Sequence, residues 1–299
     1  MDIRQLEYFV AVAEELNFTR AAQRVFAVQS TVSAAIRALE ADLGAVLFER
    51  STRSVALSPA GAALLPEAKT VLETLDRARA AVQETTTGLR GSVRIGSLTS
   101  IAVIDLPALL GAFHQRHPLV DLHVTASPEG STGLARDLRR SRLDVALIGL
   151  PDSELAGLDV RPVVRIPFVA LLPESHPLAE RAEIDPADLV GERFVDTLRG
   201  FGNRLAVDRV FEALAAPRRV VVEVSDLTTV PGHVRAGLGV AVVPRIAASQ
   251  ERGLVSRPLA GSPLVWTLHA ATLAGRRPSR AVAALLDLLD DHVLRDTAF

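Results

Sequence analysis

Phe18 to Gly44, FTRAAQRVFAVQSTVSAAIRALEADLG, constrains this chain more than any other stretch. It reads as two helices joined by a tight turn. The first, about 19–26, is rich in alanine: Ala21 and Ala22 permit close helix–helix approach, and Phe18, Val25 and Phe26 supply buried contacts. Asn17 and Thr19 each offer a side-chain acceptor to the free N–H groups at its start. After a turn near Ala27–Val28, a longer helix runs from about Gln29 to Leu43. Val32, Ile36, Leu39 and Leu43 form its inward stripe, and Gly44 stands where a left-handed residue ends a helix. Upstream, residues 3–16 place Leu6, Phe9, Val10, Ala13 and Leu16 on one face of a preceding amphipathic helix.

The stripe leaves Gln29, Ser30, Ser33, Ala34 and Arg37 on the other faces of the longer helix. Glutamine pairs bidentately with adenine, serine bonds either base type, and an alanine methyl can touch thymine. A helix N-terminus favours nearby phosphate. Such a face taken alone is more often solvated surface. The order of helix, alanine-rich helix, turn and small-polar helix makes it a candidate DNA reader, with Gln29, Ser30, Ser33 and Ala34 toward bases.

Next comes AVLFERSTRSVALSP, in which Val46–Phe48 and Val55–Leu57 read as short strands around a polar turn, Arg50–Ser54. A hairpin tipped by Arg50, Thr52 and Arg53 suits a wing on the phosphate backbone, although arginines in a turn are usually just solvated. Ser58-Pro59 is a strong helix start. Leu64, Leu65, Ala68, Val71, Leu72, Leu75, Ala78 and Val82 then continue a stripe to about Thr87. With no globular partner nearby in sequence, the stripe is expected to pair with a second copy of the chain, through Leu64, Ala68, Val71, Leu75 and Val82. Pro66 removes one backbone bond and is expected to kink this helix. The run Thr85–Gly91 breaks the pattern and reads as a hinge.

From Ser92 the texture changes to alternating strands and helices, which predicts an α/β segment with a mainly parallel sheet. Strands are expected at Val93–Gly96, Val120–Thr125, Val145–Ile148, Val163–Leu172, Val220–Val224, Val240–Val243 and Leu264–Leu273. Helices are expected at Ile101–Gln115, Ser131–Arg140, Arg204–Ala215, Thr228–Ala236 and Pro278–Leu294. Val163–Leu172, interrupted by Pro167, reads as a strand passing into a second lobe, which leaves a cleft between two α/β lobes. Ligands sit beyond the carboxyl ends of such strands. The matching loops are Ser97–Ser100, Ser127–Gly130, Gly149–Pro151, Leu198–Asn203 and Ser225–Thr228. Ser97, Thr99, Ser100 and Ser127 carry hydroxyls suited to a small polar ligand, and each also suits an ordinary helix cap.

Composition narrows the function. Across 299 residues the formal net charge is −2, and residues 1–58 hold six arginines against seven acids. A DNA reader here must rely on placement of charge, not its total. There is no cysteine, which excludes disulfides, thiolate metal sites and thiol redox sensing. No apolar run approaches the ~20 residues that span a bilayer. The N-terminus lacks the apolar core of a signal peptide, so a cytoplasmic protein is expected. Enzyme signatures are absent: no HExxH, no P-loop, no G-x-S-x-G. Gly237-Leu238-Gly239 lacks a third glycine and precedes a strand. His114 and His117 have no cysteine or nearby acid beside them. No catalytic residue, metal or cofactor is expected.

LEYFVAVAEELNFTRAAQRV, QSTVSAAIRALEADLGAVLFER and LSPAG together resemble the LysR-type transcriptional regulators of bacteria, in one order and at close spacing. GSVRIG and GLGVAVVP are similar to that family's first regulatory strand and a late second-lobe motif, which extends the resemblance to essentially the whole chain. The resemblance implies an all-α winged helix-turn-helix domain at 1–58 and a linker helix and hinge at 59–91. It implies at 92–299 a two-lobed α/β effector domain like the periplasmic binding proteins, with one lobe at about 92–165 and 266–299 and the other at about 166–265. It implies homodimers assembled into homotetramers on double-stranded DNA at promoter dyad sites, with RNA polymerase a candidate further partner. A small-molecule effector of unknown identity would bind between the lobes and change DNA binding or bending. By motif, Thr19 joins Arg50, Thr52 and Arg53 at phosphates. Ser97, Thr99, Ser127 and Phe201 fall in effector-pocket positions or loops, beside Ser100 and Gly149. The chain departs from the family at Val28, where Ser or Thr commonly caps the reading helix, and at Ala34, where a basic residue is frequent. A ligand-binding module with vestigial DNA binding, or least of all an enzyme on the two-lobed fold, are the alternatives.

Overall fold

The computed structural model describes residues 1–50, 55–87, 89–99, 103–248, 252–261 and 264–294. The chain divides into two compact units, Met1–Gly88 and Leu89–Phe299.

The first unit packs three helices, α1 (Ile3–Glu15), α2 (Phe18–Arg24) and α3 (Gln29–Leu43), on a hairpin of β1 (Phe48–Arg50) and β2 (Val55–Leu57) and on α4 (Pro59–Thr87). Local sequence sets most boundaries. Asp2 accepts from Gln5 N at 2.8 Å while the Gln5 side chain accepts from Asp2 N at 2.9 Å, a reciprocal cap for α1. Of the two candidate caps for α2, Asn17 takes the role, accepting from Thr19 N and Arg20 N at 2.9 and 3.0 Å. Ser58 opens α4, its hydroxyl accepting from Gly61 N at 3.0 Å and donating to Val46 O in the wing. The core gathers Phe9, Phe18 and Phe48, with ring centroids 5.5 and 5.8 Å from Phe48, against Val32, Ile36 and Leu39. Glu40 ties α3 to the wing by accepting from Leu47 N at 2.8 Å.

Four expectations fail here. Phe26 is 99% exposed at φ 52°, because the turn bends it away from the core. Leu43 is 40% exposed, since the last turn of α3 runs past the core. Val46 precedes β1 and is exposed. The stripe of α4 also has a partner within its own unit: Leu64, Leu65, Ala68 and Leu72 pack into the α1–α3 core. Ala68 is buried there and is unavailable to a second chain, while Lys69 pairs with Glu14 of α1. Burial raises the Glu14 carboxyl, but hydrogen bonds from Lys69 and Arg24 outweigh it and hold it below the usual range.

In the second unit the order is β3 (Gly91–Ser97), α5 (Leu106–Arg116), β4 (Val120–Ala126), α6 (Gly130–Arg139), β5 (Val145–Ile148) and β6 (Leu158–Pro173). There follow β7 (Arg193–Thr197), α7 (Gly202–Ala213), β8 (Arg219–Val224), α8 (Val230–Arg235), β9 (Ala241–Pro244), β10 (Leu254–Pro258), β11 (Val265–Leu273) and α9 (Arg280–Leu288). The long strand β6 organises both lobes. Its first part pairs with β11, which continues through β5 and β3 to β4; its last part pairs with β9 and β10. Pro167 falls where the pairing changes hands, so its missing N–H costs no ladder bond. Beyond it, Phe168, Ala170 and Leu172 enter one core and Val169 and Leu171 another, as a strand buried on both faces requires.

The sheet is mixed, not mainly parallel. β3 pairs parallel with β4 and β5, and β7 with β8, but β6 meets β9, β10 and β11 antiparallel, because β6 and β11 cross between lobes in opposite directions. β7 and β10 lie outside the expected strands: their runs RFVDT and LVSRP carry charged residues or proline instead of an unbroken apolar stretch. The helix expected from Ile101 begins at Leu106, where Asp105 caps it and Pro107 fits the first turn.

Candidate DNA-reading face and ligand cleft

The reading helix α3 begins at Gln29 with Val28 at the N-cap, extended, without a side-chain cap bond and 66% exposed. Ser30 therefore lies inside the first turn and does not replace the missing cap. Gln29, Ser30, Ala34 and Arg37 are exposed and Ser33 is half-buried. Gln29 Nε2 donates to Ser33 Oγ at 3.0 Å, so two candidate base readers one turn apart hold each other. Thr19 is exposed at the start of α2. Arg20 and Arg24 are engaged with Glu15 and Glu14 of α1, which accounts locally for two of the arginines balanced by acids. Thr52, Arg53 and the side chain of Arg50 lie outside the described residues, as does that of Val82. In α4, Val71 is exposed and Leu75 half-buried.

In the second unit a cleft opens between the lobes. The β3–α5 segment, α6, α7, the 225–228 loop, β9 with the short 3-10 helix after it, and β11 all contribute to its wall. The apolar wall is Leu98, Val103, Phe201, Leu227, Pro244, Ile246, Ala247 and Trp266; the polar groups are Thr99, Ser131, Asn203, Ser225 and Thr228. Glycines allow the lobes to approach at its floor. A Cβ on Gly202 would lie 1.6 Å from Gly149 O, and one on Gly149 would lie 2.2 Å from Trp266 Nε1. Thr132 of one lobe also donates to Gly200 O of the other at 2.8 Å.

Thr99 and Phe201 line this cleft. Ser97 and Ser127 do not. Ser97 is buried and donates to Leu98 O at 3.1 Å, and Ser127 is buried and accepts from Glu129 N at 3.2 Å ahead of α6. Gly149 serves as backbone: its N–H donates to Ser131 Oγ at 3.0 Å. Ser100 lies outside the described residues. Ser131, Asn203, Ser225, Thr228 and Trp266 are lining residues that individual reading missed. Three of them stand in second-lobe loops marked by the strand-end rule. Trp266 carries no signal beyond being the single tryptophan in the chain.

Behind Asn203 lies a buried polar network. Asn203 Nδ2 donates to Thr197 Oγ1 at 2.9 Å, and Arg204 Nη1 to Thr197 O at 3.0 Å. Arg218 Nη1 donates to Asp196 Oδ2 at 2.6 Å, and its guanidinium stands 5.1 Å from the Phe194 ring centroid. Burial pushes the Asp196 carboxyl up, with Arg218 pulling the other way. α7 opens beside the cleft with Phe201 at its N-cap and no side-chain cap, so its first N–H groups have no intrahelical acceptor. Such a terminus rewards an anion by about 0.3–2 kcal/mol, less than the several kcal/mol that full desolvation of a carboxylate costs.

A two-lobed α/β ligand domain following a helix-turn-helix with a hairpin wing defines a class of ligand-responsive DNA-binding proteins. Residues 3–62 match the family model described as bacterial regulatory helix-turn-helix protein, lysR family, and residues 86–294 match the LysR substrate binding domain. The chain belongs to the LysR family of transcriptional regulators. It is 37% identical over 250 residues to a probable hydrogen peroxide-inducible genes activator of Mycobacterium avium, covering 83% of this chain and 79% of that one. It is likewise 37% identical over 245 residues to the HTH-type transcriptional regulator ShiR of Corynebacterium glutamicum, covering 81% and 82%. A full-length OxyR variant of Pseudomonas aeruginosa, carrying a single substitution, superposes with a TM-score of 0.74 at 29% identity, covering 99% and 98%. Among the described residues no helix is long and apolar enough to cross a membrane.

Proposed function

We propose that this chain is a sequence-specific transcriptional regulator whose DNA binding or bending is set by a small molecule held between the two lobes of its second unit. The observation that carries this reading is the exposed Gln29–Ser33 pair at the uncapped start of α3, opposite a fully buried Val32–Ile36–Leu39 stripe. In this reading Gln29, Ser30, Ser33 and Ala34 face bases, and Thr19, Arg50, Thr52 and Arg53 hold phosphates. Domain boundaries fall at 58 and 91. The free part of the α4 stripe, Val71 and Leu75 with Val82 beyond, pairs with a second copy, and pairs of dimers occupy a dyad promoter site in the cytoplasm. Thr99 and Phe201 contact the effector.

Some relatives are named as hydrogen peroxide-inducible activators. With no cysteine in the chain, thiol oxidation is unavailable, and reversible ligand binding is the signal that the cleft supports. The test is a salt titration of binding to DNA upstream of its own gene. A steep log–log slope is expected, with Arg53→Ala weakening all sequences alike and Gln29→Ala changing preference at particular base pairs. A flat slope, or an operator profile untouched by Gln29→Ala, defeats the reading.

A further inference from the structure

We infer that the effector is uncharged: an apolar body of one or two rings carrying one hydrogen-bond-accepting oxygen. This rests on the reading of the interlobe cleft as the effector site. Among the described residues no charged side chain lines the cleft. Residues 100–102, outside the described residues, are Ser, Ile and Ala, none of them charged. Arg245 stands between the lining residues Pro244 and Ile246, its Nη2 buried without a hydrogen-bond partner among the described residues, but its side chain is not one of those that line the cleft.

What the wall does offer is apolar surface and hydrogen-bond donors. Trp266 and Phe201 supply aromatic faces, and Leu98, Val103, Leu227 and Ile246 supply aliphatic ones. Ser131 is 2% exposed, and its oxygen already accepts from Gly149 N, which leaves its hydroxyl hydrogen to donate. The first-turn N–H groups of α7 stand at Gly202 and Asn203, both lining residues. These donors share the wall of the cleft and are open to an acceptor held in it. An ionised group placed there gives up its hydration and meets only dipoles in return, whereas a carbonyl, hydroxyl or ether oxygen on the same body takes the same bonds without that loss. A wide apolar wall with a few convergent polar groups is the usual make-up of a small-molecule site.

Trp266 is the single tryptophan and lines the cleft, so its emission reports occupancy in the full-length protein. The probes are benzamide, benzyl alcohol and toluene as uncharged ligands, and benzoate as the charged counterpart of benzamide. Saturable change in Trp266 emission is expected with at least one uncharged probe, and benzamide is expected to bind at least about tenfold more tightly than benzoate. Ala247→Leu, which fills the wall without touching a polar group, is expected to abolish the response. Ser131→Ala is expected to weaken benzamide several-fold and leave toluene, which offers no acceptor, unchanged. Benzoate binding as tightly as benzamide overturns the proposal, as does the loss of benzoate binding in Arg245→Ala, or silence from all three uncharged probes. Operator binding measured alongside separates the two readings. Salt-steep DNA binding with benzoate preferred sinks the uncharged effector alone; benzamide binding without operator binding sinks the regulator alone.

Discussion

The reading helix and the ligand cleft belong to one chain but are assembled in opposite ways. The hydrogen bonds that set the exposed face of α3 are local, from the Asn17 cap of α2 through Gln29–Ser33 to Glu40–Leu47, each spanning at most seven residues. The cleft takes its wall from Leu98 through Trp266, brought together by strands that cross between lobes. A face built from local contacts can change one residue at a time. A cleft built from distant ones depends on close approaches and buried charges that tolerate little.

That contrast can be broken by experiment, starting where the effect is largest. Asp196→Ala takes from the buried Arg218 guanidinium one of its two carboxylates, leaving Asp208, and is expected to cost about 3 kcal/mol in the second unit, seen as a lowered melting transition. A melting curve unchanged by this substitution would mean that the network does not hold the lobe. Gly202→Ala drives a methyl into Gly149 O and is expected to cost about 1–3 kcal/mol and to shift Trp266 emission, because the floor of the cleft must open. Wild-type emission in that variant would mean that the methyl is accommodated without opening the floor beside Trp266.

In the first unit the expected effects are smaller. Val28→Ser supplies the missing cap of α3 and is expected to stabilise by about 1 kcal/mol, measurable by denaturant titration. No gain would indicate that the free N–H groups at this end already have partners. The smallest effect concerns acid. The folded-state pKa of Glu14 is depressed, so its contribution to stability is present above the unfolded value of about 4.3 and is lost as pH falls through the folded one. Glu14→Gln should therefore lower stability at neutral pH and flatten its decline below about pH 4. Parallel pH profiles for the two proteins would remove Glu14 from that account.

The helices and strands of the first unit were largely legible because capping and amphipathic spacing are local. Asn17, Gly44 and Ser58 mark ends that hydrogen bonding within a few residues enforces. What failed there were side chains at the margins: Phe26, Leu43 and the α4 stripe, whose burial depends on where neighbouring elements stop. In the second unit the strand-end loops were visible, but which hydroxyls face the ligand was not. Ser97 and Ser131 look alike in sequence, and only the path of the backbone decides that one bonds the next carbonyl and the other lines the cleft.

By itself, the sequence determined the family, the order of elements and the absence of thiol chemistry, since motif order and residue type do not depend on packing. Tertiary structure decided that the sheet is mixed, that Ala68 is consumed inside its own unit, and that Asp196 and Arg218 meet in a buried pair. It also placed the single tryptophan in the wall of a cleft that no charged side chain lines among the described residues. Those outcomes rest on contacts between residues tens to more than a hundred positions apart, and no local pattern encodes such contacts.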